Sequence, residues 1–309
     1  MPVKRRESRY NGVLIVNKPQ DFTSFDVVAK LRGILHERRI GHGGTLDPMA
    51  TGVLPVFVGG ATKAADYAAA QDKEYLAGFA LGAATDTQDV TGTVTARSDV
   101  RADEAAVRDA LSGFLGAQQQ IPPMYSAVKI GGQKLYDLAR KGKTVERPER
   151  DITIREIALT AFDETAQRGA FRVTCSKGTY VRTIVNDLGE RLGTLAAMDA
   201  LTRTRSGVYT LAEAVSFEQV EQARDGGTLS RLLRPTDSLF ADYPAVRLNH
   251  EGADRAARGA VVFPRQTDGL DFAPGTLCRV YHDGRFLMLG RVDALEKGGA
   301  GLFVHKNFR

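Results

Sequence analysis

The stretch GHGGTLDPMATGVL, residues 41–54, holds one histidine and one aspartate among four glycines. Glycine permits positive φ and close backbone approach to a ligand, so this reads as a shaped loop presenting Asp47 and His42. Several chemistries that such loops serve are excluded. A P-loop needs G-x-x-x-x-G-K-[ST], which neither this loop nor GGATK at 59–63 supplies. His-Gly-Gly at 42–44 is similar to an esterase oxyanion loop, but no G-x-S-x-G provides a nucleophile. Five histidines without H-E-x-x-H or paired-ligand spacing give no metal site. What remains is a cofactor-free carboxylate site, or a turn that Asp47 merely caps with Pro48 as the first helical residue.

The elements around the loop can be placed by periodicity. GVLIVNKP, 12–19, is an apolar run closed by a proline, a buried strand ending in a turn. Ser24 is the expected N-cap of a helix whose core face is Val27, Val28, Leu31, Ile34 and Leu35. GVLPVFVGG, 52–60, is a second apolar run, and Pro55 argues for an edge or irregular strand. Residues 73–94 read as strand, polar turn and short strand, and 101–116 as an amphipathic helix. In AFRVTCSKGTYVRTIVNDLGERLG, 170–193, a period of two gives way to helical spacing, which puts Tyr180 and Arg182 in a first helical turn. On these residues alone Arg182 reads as a surface arginine paired with Asp187 or Glu190. A helical region near 211–224 and a boundary near 239–246 precede short strands joined by an Asp-Gly hairpin turn. The mixture is α/β or α+β.

A chain of 309 residues with 43% hydrophobic content can bury a sizeable core in about two domains. A net charge of +5 permits a polyanionic partner without demanding one. Positive charge gathers in a basic tail over 1–10, with Lys4, Arg5, Arg6 and Arg9, and in the segment 121–150. There Tyr125 and Tyr136 alternate with Lys and Arg, a pairing suited to stacking and phosphate neutralisation. Cys175 and Cys278 form no framework or ligand cluster, which fits a reducing cytoplasm. No secretory signal and no membrane span is expected.

NGVLIVNKPQDFTSFDVV, GHGGTLDPMATGVLPVFVGGATK, DKEY, IPPMYSAVKIGGQKLYDLARKG and CSKGTYVRTIVNDLGERLG together resemble the TruB family of tRNA pseudouridine synthases, in order and at matching separations from about 11 to 206. The loop reads GHGGTLDP where other members have variants such as GHTGALDP, keeping His and Asp. The resemblance implies an α+β fold: a catalytic domain over 11–240 on a mixed, largely antiparallel sheet with flanking helices, a basic RNA-binding insertion at about 121–150, and a small β-rich PUA-like domain over 244–309.

It further implies isomerisation of uridine to pseudouridine in tRNA, usually at position 55 of the T loop, without metal or other cofactor. Asp47 matches the catalytic aspartate and Arg182 the arginine that pairs with it and keeps it charged. Tyr75 matches the tyrosine that stacks on the target base and is a candidate for taking the C5 proton. Tyr180 matches a second pocket tyrosine. His42 would contact RNA or fill space left by the flipped nucleotide, and Lys18, Pro19 and Leu201 belong with the substrate-binding residues. Lys129, Lys134, Arg140, Lys141 and Lys143 would clamp the T arm of a tRNA bound by a monomer. The alternative is a tRNA-binding folding factor whose chemistry is dispensable.

Overall fold

The computed structural model describes residues 8–296 and 298–308. Most of the expected basic tail, including Lys4, Arg5 and Arg6, lies outside them. The chain begins with β1 (Gly12–Lys18), α1 (Ser24–Leu35), β2 (Ile40–His42), β3 (Thr51–Val58), α2 (Ala65–Ala70) and β4 (Lys73–Leu81). β1 and β3 pair antiparallel from Gly12↔Val58 to Lys18↔Gly52. Leu14, Val16, Leu54, Val56 and Val58 pack beneath α1, while Val13, Ile15, Val53 and Phe57 enter a separate core on the opposite face. Burial on both faces is why these strands are unbroken apolar runs. β4 differs: Tyr75, Ala77 and Phe79 point into the core and Leu76 between them is 42% exposed. One covered face gives the period of two.

Two expectations are corrected here. Thr23, not Ser24, caps α1, forming a capping box with Asp26; the Ser24 hydroxyl is engaged elsewhere, as described below. Pro55 lies inside the sheet, paired with Ile15 of β1. Its carbonyl accepts from Gly43 N–H, on the side away from β1. The nitrogen of a strand residue faces the same way as its carbonyl, so the missing N–H costs the β1–β3 ladder nothing.

Next come β5 (Ala83–Thr85), β6 (Val94–Arg97), α3 (Glu104–Ser112), β7 (Gly116–Gln120), β8 (Lys129–Ile130), β9 (Gln133–Lys134) and α4 (Leu135–Ala139). They are followed by β10 (Arg150–Asp163), β11 (Arg168–Cys175), α5 (Val181–Leu192), β12 (Ala196–Ser206), β13 (Tyr209–Thr210), α6 (Phe217–Asp225) and β14 (Leu233–Arg234). The main sheet runs β14-β1-β3-β12-β4-β11-β10-β7, with β2 added to β3 and β13 to β12. β12 pairs parallel with β3 at Thr202↔Thr51 and Arg203↔Gly52; the other pairings of this sheet are antiparallel. Val107 and Leu111 of α3 and Ile184, Val185 and Leu188 of α5 fill the core against the inner residues of β4, β10 and β11. The mixed, largely antiparallel sheet with flanking helices agrees with the α+β expectation.

The last segment contains β15 (Ala245–Arg247), α7 (His250–Ala257), β16 (Leu277–His282), β17 (Arg285–Ala294) and β18 (Ala300–Asn307), and its four strands form a second sheet in sequence order. Asp283 and Gly284 both have positive φ, at 48° and 71°, as a tight hairpin turn requires. This sheet meets the first through aromatic rings: Phe240 lies 5.3 Å from Tyr67, 5.7 Å from Phe308 and 6.2 Å from Phe286.

Candidate active site

The loop between β2 and β3 is fastened at almost every residue. Gly43 donates to Pro55 carbonyl at 2.9 Å, and a Cβ there would lie 2.7 Å from that of Ala68. Leu46 N–H donates to the Ser24 hydroxyl at 2.8 Å. The Pro48 carbonyl accepts from Asp21 N–H at 2.8 Å and from Lys18 Nζ at 3.1 Å. Asp47 accepts Ala50 N–H through its own carbonyl at 3.1 Å, closing a turn and not a helix. Its carboxylate is therefore free of capping and 35% exposed.

That carboxylate meets Arg182, 2.9 Å from Nε to Oδ2. The Nε–H is not aimed along this line, so the contact is an ion pair and not an aligned hydrogen bond. Arg182 is 4% exposed. Its Nη1 and Nη2 donate to the carbonyls of Thr87 and Tyr125, each at 3.0 Å, and Nη1 lies 3.6 Å from the Asp89 carboxylate. The guanidinium thus points toward the Asp47 loop and the Thr87–Asp89 turn and not to the helix surface; Asn186 is the residue that reaches Asp187 and Glu190. Asp89, 5% exposed, has its second oxygen bonded by Thr87 and Thr91. With two carboxylates and two carbonyls around it, the planar fork of an arginine is held in one orientation, which a lysine could not match.

Tyr75 is 8% exposed and shares the core with Leu46, Ala50 and Leu201. Burial raises the pKa of its phenol, opposed by the neighbouring Arg203. Tyr180 stands at the N-cap of α5, where its N–H donates to Gln120 Oε1 at 2.8 Å and its carbonyl accepts from Gln120 Nε2 at 3.1 Å. Burial raises its pKa too. His42 ends β2, and burial followed by the Arg203 charge lowers its pKa, so the imidazole is neutral at physiological pH. Asp47, Arg182, Tyr75, Tyr180 and Leu201 therefore converge from residues far apart in sequence, while His42 lies near Arg203 at the start of the loop.

Lys18 and Pro19 hold a different position. Lys18 is fully buried, and its ammonium donates to the carbonyls of Pro19, Phe22 and Pro48, beneath the loop. Burial lowers its pKa to about 8, with the Asp47 charge acting in the opposite direction. The insertion residues are also separate from the carboxylate. Lys129, Arg140, Lys141 and Lys143 are exposed, and Lys134 lies partly against Tyr136, bonding its hydroxyl at 3.1 Å. The Lys134 ammonium and Arg140 guanidinium lie 5.2 and 5.5 Å from the Tyr136 ring. Lys129, Lys134, Arg140 and Lys141 line an open groove of about 490 Å³. A larger concavity of about 720 Å³ against α3 is lined by Asp103, Glu104, Asp109 and Glu164 with Arg108 as its one cation, a net negative charge unsuited to a polyanion.

Sequence reasoning passed over Asp89, Gln120 and Arg203. Asp89 sits in TDTQDVTG, which shows only a polar turn, and Arg203 in LTRTRSG, where a strand arginine reads as outward-facing.

Known proteins share both this sequence and this fold. Residues 32–181 match the family described as TruB family pseudouridylate synthase (N terminal domain), and 182–241 match the tRNA pseudouridylate synthase B C-terminal domain. The chain is 46% identical over 259 residues to tRNA pseudouridine synthase B of Lactiplantibacillus plantarum, covering 82% of this chain and 84% of the relative. The protein of that name from Bacillus licheniformis is 46% identical over 258 residues, again 82% and 84%. Among solved structures, a chain in the crystal structure of a Cbf5-Nop10-Gar1 complex has a TM-score of 0.73 and 25% identity, over 96% of this chain and 85% of that one. A chain of an H/ACA RNP bound to a substrate RNA containing 2′-deoxyuridine, at 0.74 and 22%, shares the fold over 96% and 85%.

Proposed function

The chain belongs to the TruB family of pseudouridylate synthases and isomerises uridine in tRNA, and from that premise we propose that Asp47 carries the chemistry, on the uridine at position 55 of the T loop. The N1–C1′ bond breaks, the base turns, and C1′ bonds to C5; N1 gains a proton and C5 loses one, so the atoms balance. The observation that carries this reading is the Asp47–Arg182 contact, since one guanidinium holds the exposed carboxylate beside the protected one of Asp89.

A carboxylate attacks carbon or assists bond cleavage, and the Arg182 guanidinium holds that of Asp47 in place for either step. The target base leaves its stack at a cost of about a few kcal/mol, recovered in a pocket that stacks and hydrogen-bonds it. Tyr75 forms the stacking wall and Tyr180 and Leu201 flank it. Because burial raises the Tyr75 pKa, the phenol rests neutral. A neutral phenol suits stacking better than proton removal. His42, uncharged, fills the space the flipped nucleotide leaves.

Lys129, Lys134, Arg140, Lys141 and Lys143 bind T-arm phosphates, and the PUA-like sheet over 244–309 adds a second RNA contact. Asp47, Arg182, Tyr75 and the insertion all lie on one chain, so a monomer suffices, and two free cysteines suit the cytoplasm. A folding factor with dispensable chemistry would not need the charged triad of Asp47, Arg182 and Asp89. The test is tritium release from C5-labelled uridine in a T-arm stem-loop. Wild type releases label and Asp47→Asn does not; release by the variant at the wild-type rate would overturn the role of Asp47, and product at another tRNA position would overturn the site.

A further inference from the structure

Five residues on five adjacent strands form one row of the main sheet: Lys18↔Gly52, Gly52↔Arg203, Arg203↔Tyr75 and Tyr75↔Val173. Every one is buried. Arg203, 1% exposed, is the charged centre of the row. Its Nε donates to Val53 carbonyl at 2.7 Å, and its terminal nitrogens donate to Thr45 at 3.4 Å and Gly44 at 3.3 Å. These acceptors bracket the loop that carries Asp47, two before the aspartate and one after it. The same guanidinium bears on the Tyr75 phenol, lowering a pKa that burial raises.

The backbone of Arg203 is located as firmly as its side chain. A Cβ on Gly52 would lie 2.3 Å from the Arg203 carbonyl oxygen and 2.9 Å from its nitrogen, and Gly52 has φ +99°. Only glycine allows the two strands to approach this closely. An apolar residue at 203 would leave two loop carbonyls and one of β3 without their donor, and lysine, a point donor, cannot span both sides of the loop.

We propose that Arg203 is a positioning residue for the isomerisation: it sets the shape of the Asp47 loop and the seat of the Tyr75 ring from beneath, without touching RNA. This rests on Asp47 being the reacting carboxylate. The test uses the full chain with tRNA, as Arg203→Lys and Arg203→Met, measuring single-turnover product formation, tRNA affinity, thermal melting and amide hydrogen exchange over residues 43–50. The expected result is a fall in turnover of about 100-fold, the scale of a reacting group displaced by about 1 Å. Affinity for tRNA should be unchanged, and exchange in the loop faster while the rest of the sheet stays protected. Wild-type turnover in Arg203→Met would overturn the proposal, as would parallel loss of turnover, affinity and melting temperature. If Arg203→Met does not fold, Arg203→Lys decides by the same split between rate and affinity. Asp47→Asn is measured alongside. Its retaining activity would overturn the underlying reading; an inactive Asp47→Asn beside a fully active Arg203→Lys would overturn this inference alone.

Discussion

Lys18, Gly52, Arg203 and Tyr75 form a buried row across four strands, whereas Lys129 stands exposed on a two-strand hairpin and Arg140, Lys141 and Lys143 stand exposed in the segment that follows a five-residue helix. Both regions are rich in cations, and they use them in opposite ways. In the floor, positive charge is directed at main-chain carbonyls, where the low dielectric makes each bond strong and the geometry unique. On the insertion, charge faces water, where it is screened over about 8–10 Å at physiological salt and serves attraction more than placement. The difference separates chemistry from capture. The two regions touch at Arg182, whose guanidinium bonds the Tyr125 carbonyl at the root of the insertion while it holds Asp47.

Asp47→Asn should separate the regions most sharply, lowering product formation by about 10⁴-fold or more, the scale seen when a reacting group is removed, with tRNA binding retained. Loss of binding in this variant would mean that floor and insertion are not independent. Arg182→Ala comes next. It leaves the buried Asp89 without its counter-ion, at a cost of about 3–5 kcal/mol, so both turnover and the denaturation midpoint should fall. Unchanged stability in urea would show that Asp89 finds another partner.

Replacing Lys129, Arg140, Lys141 and Lys143 together by Gln tests the other region. Affinity should weaken and the slope of log K against log salt should shrink by about 0.7–0.9 for each phosphate no longer neutralised, with single-turnover rate at saturating tRNA preserved. A reduced saturating rate would show that the insertion also shapes the floor.

The smallest effect concerns pH. Lys18 and Lys73 have folded pKa values lowered to about 8 by burial, against 10.5 when unperturbed. Between about 8 and 10.5 the unfolded chain binds more protons at these two groups, so their contribution to stability rises with pH in that window. Deprotonation meanwhile weakens the Lys18 bonds to the loop, so turnover should fall over the same range. Lys18→Met should remove its share of the stability rise; a pH profile of melting identical to wild type would contradict the assignment.

Much of the fold was legible because it is written in local periodicity. The apolar runs of β1 and β3, the helical spacing of α1 and α5 and the Asp-Gly hairpin each state themselves within a dozen residues. Ser24 misled because its hydroxyl type suits a cap equally well, and only the approach of Leu46 shows what it does. Pro55 misled because the direction of one missing N–H depends on which strand lies on that side. The loop that carries Asp47 was visible through its glycines. The carboxylate of Asp89 and the guanidinium of Arg203 were not, since each acts on residues roughly 90 to 160 positions away and leaves no pattern in its own neighbourhood.

The ring of Phe240 has a consequence for how the molecule comes apart. It packs against Tyr67 of α2 and Tyr243 and against Phe286 of β17 and Phe308, and Tyr281 of the small sheet donates to Asp237 at 2.6 Å. Val13, Ile15 and Phe57 of the main sheet belong to the same apolar cluster as Leu289 and Phe308. Two bodies that share a core have no solvated hinge between them, so opening one exposes apolar surface of the other. Heating should therefore melt both sheets in a single calorimetric transition, and the small sheet has the thermodynamic character of a wing of one cooperative unit, not of a separate module on a tether.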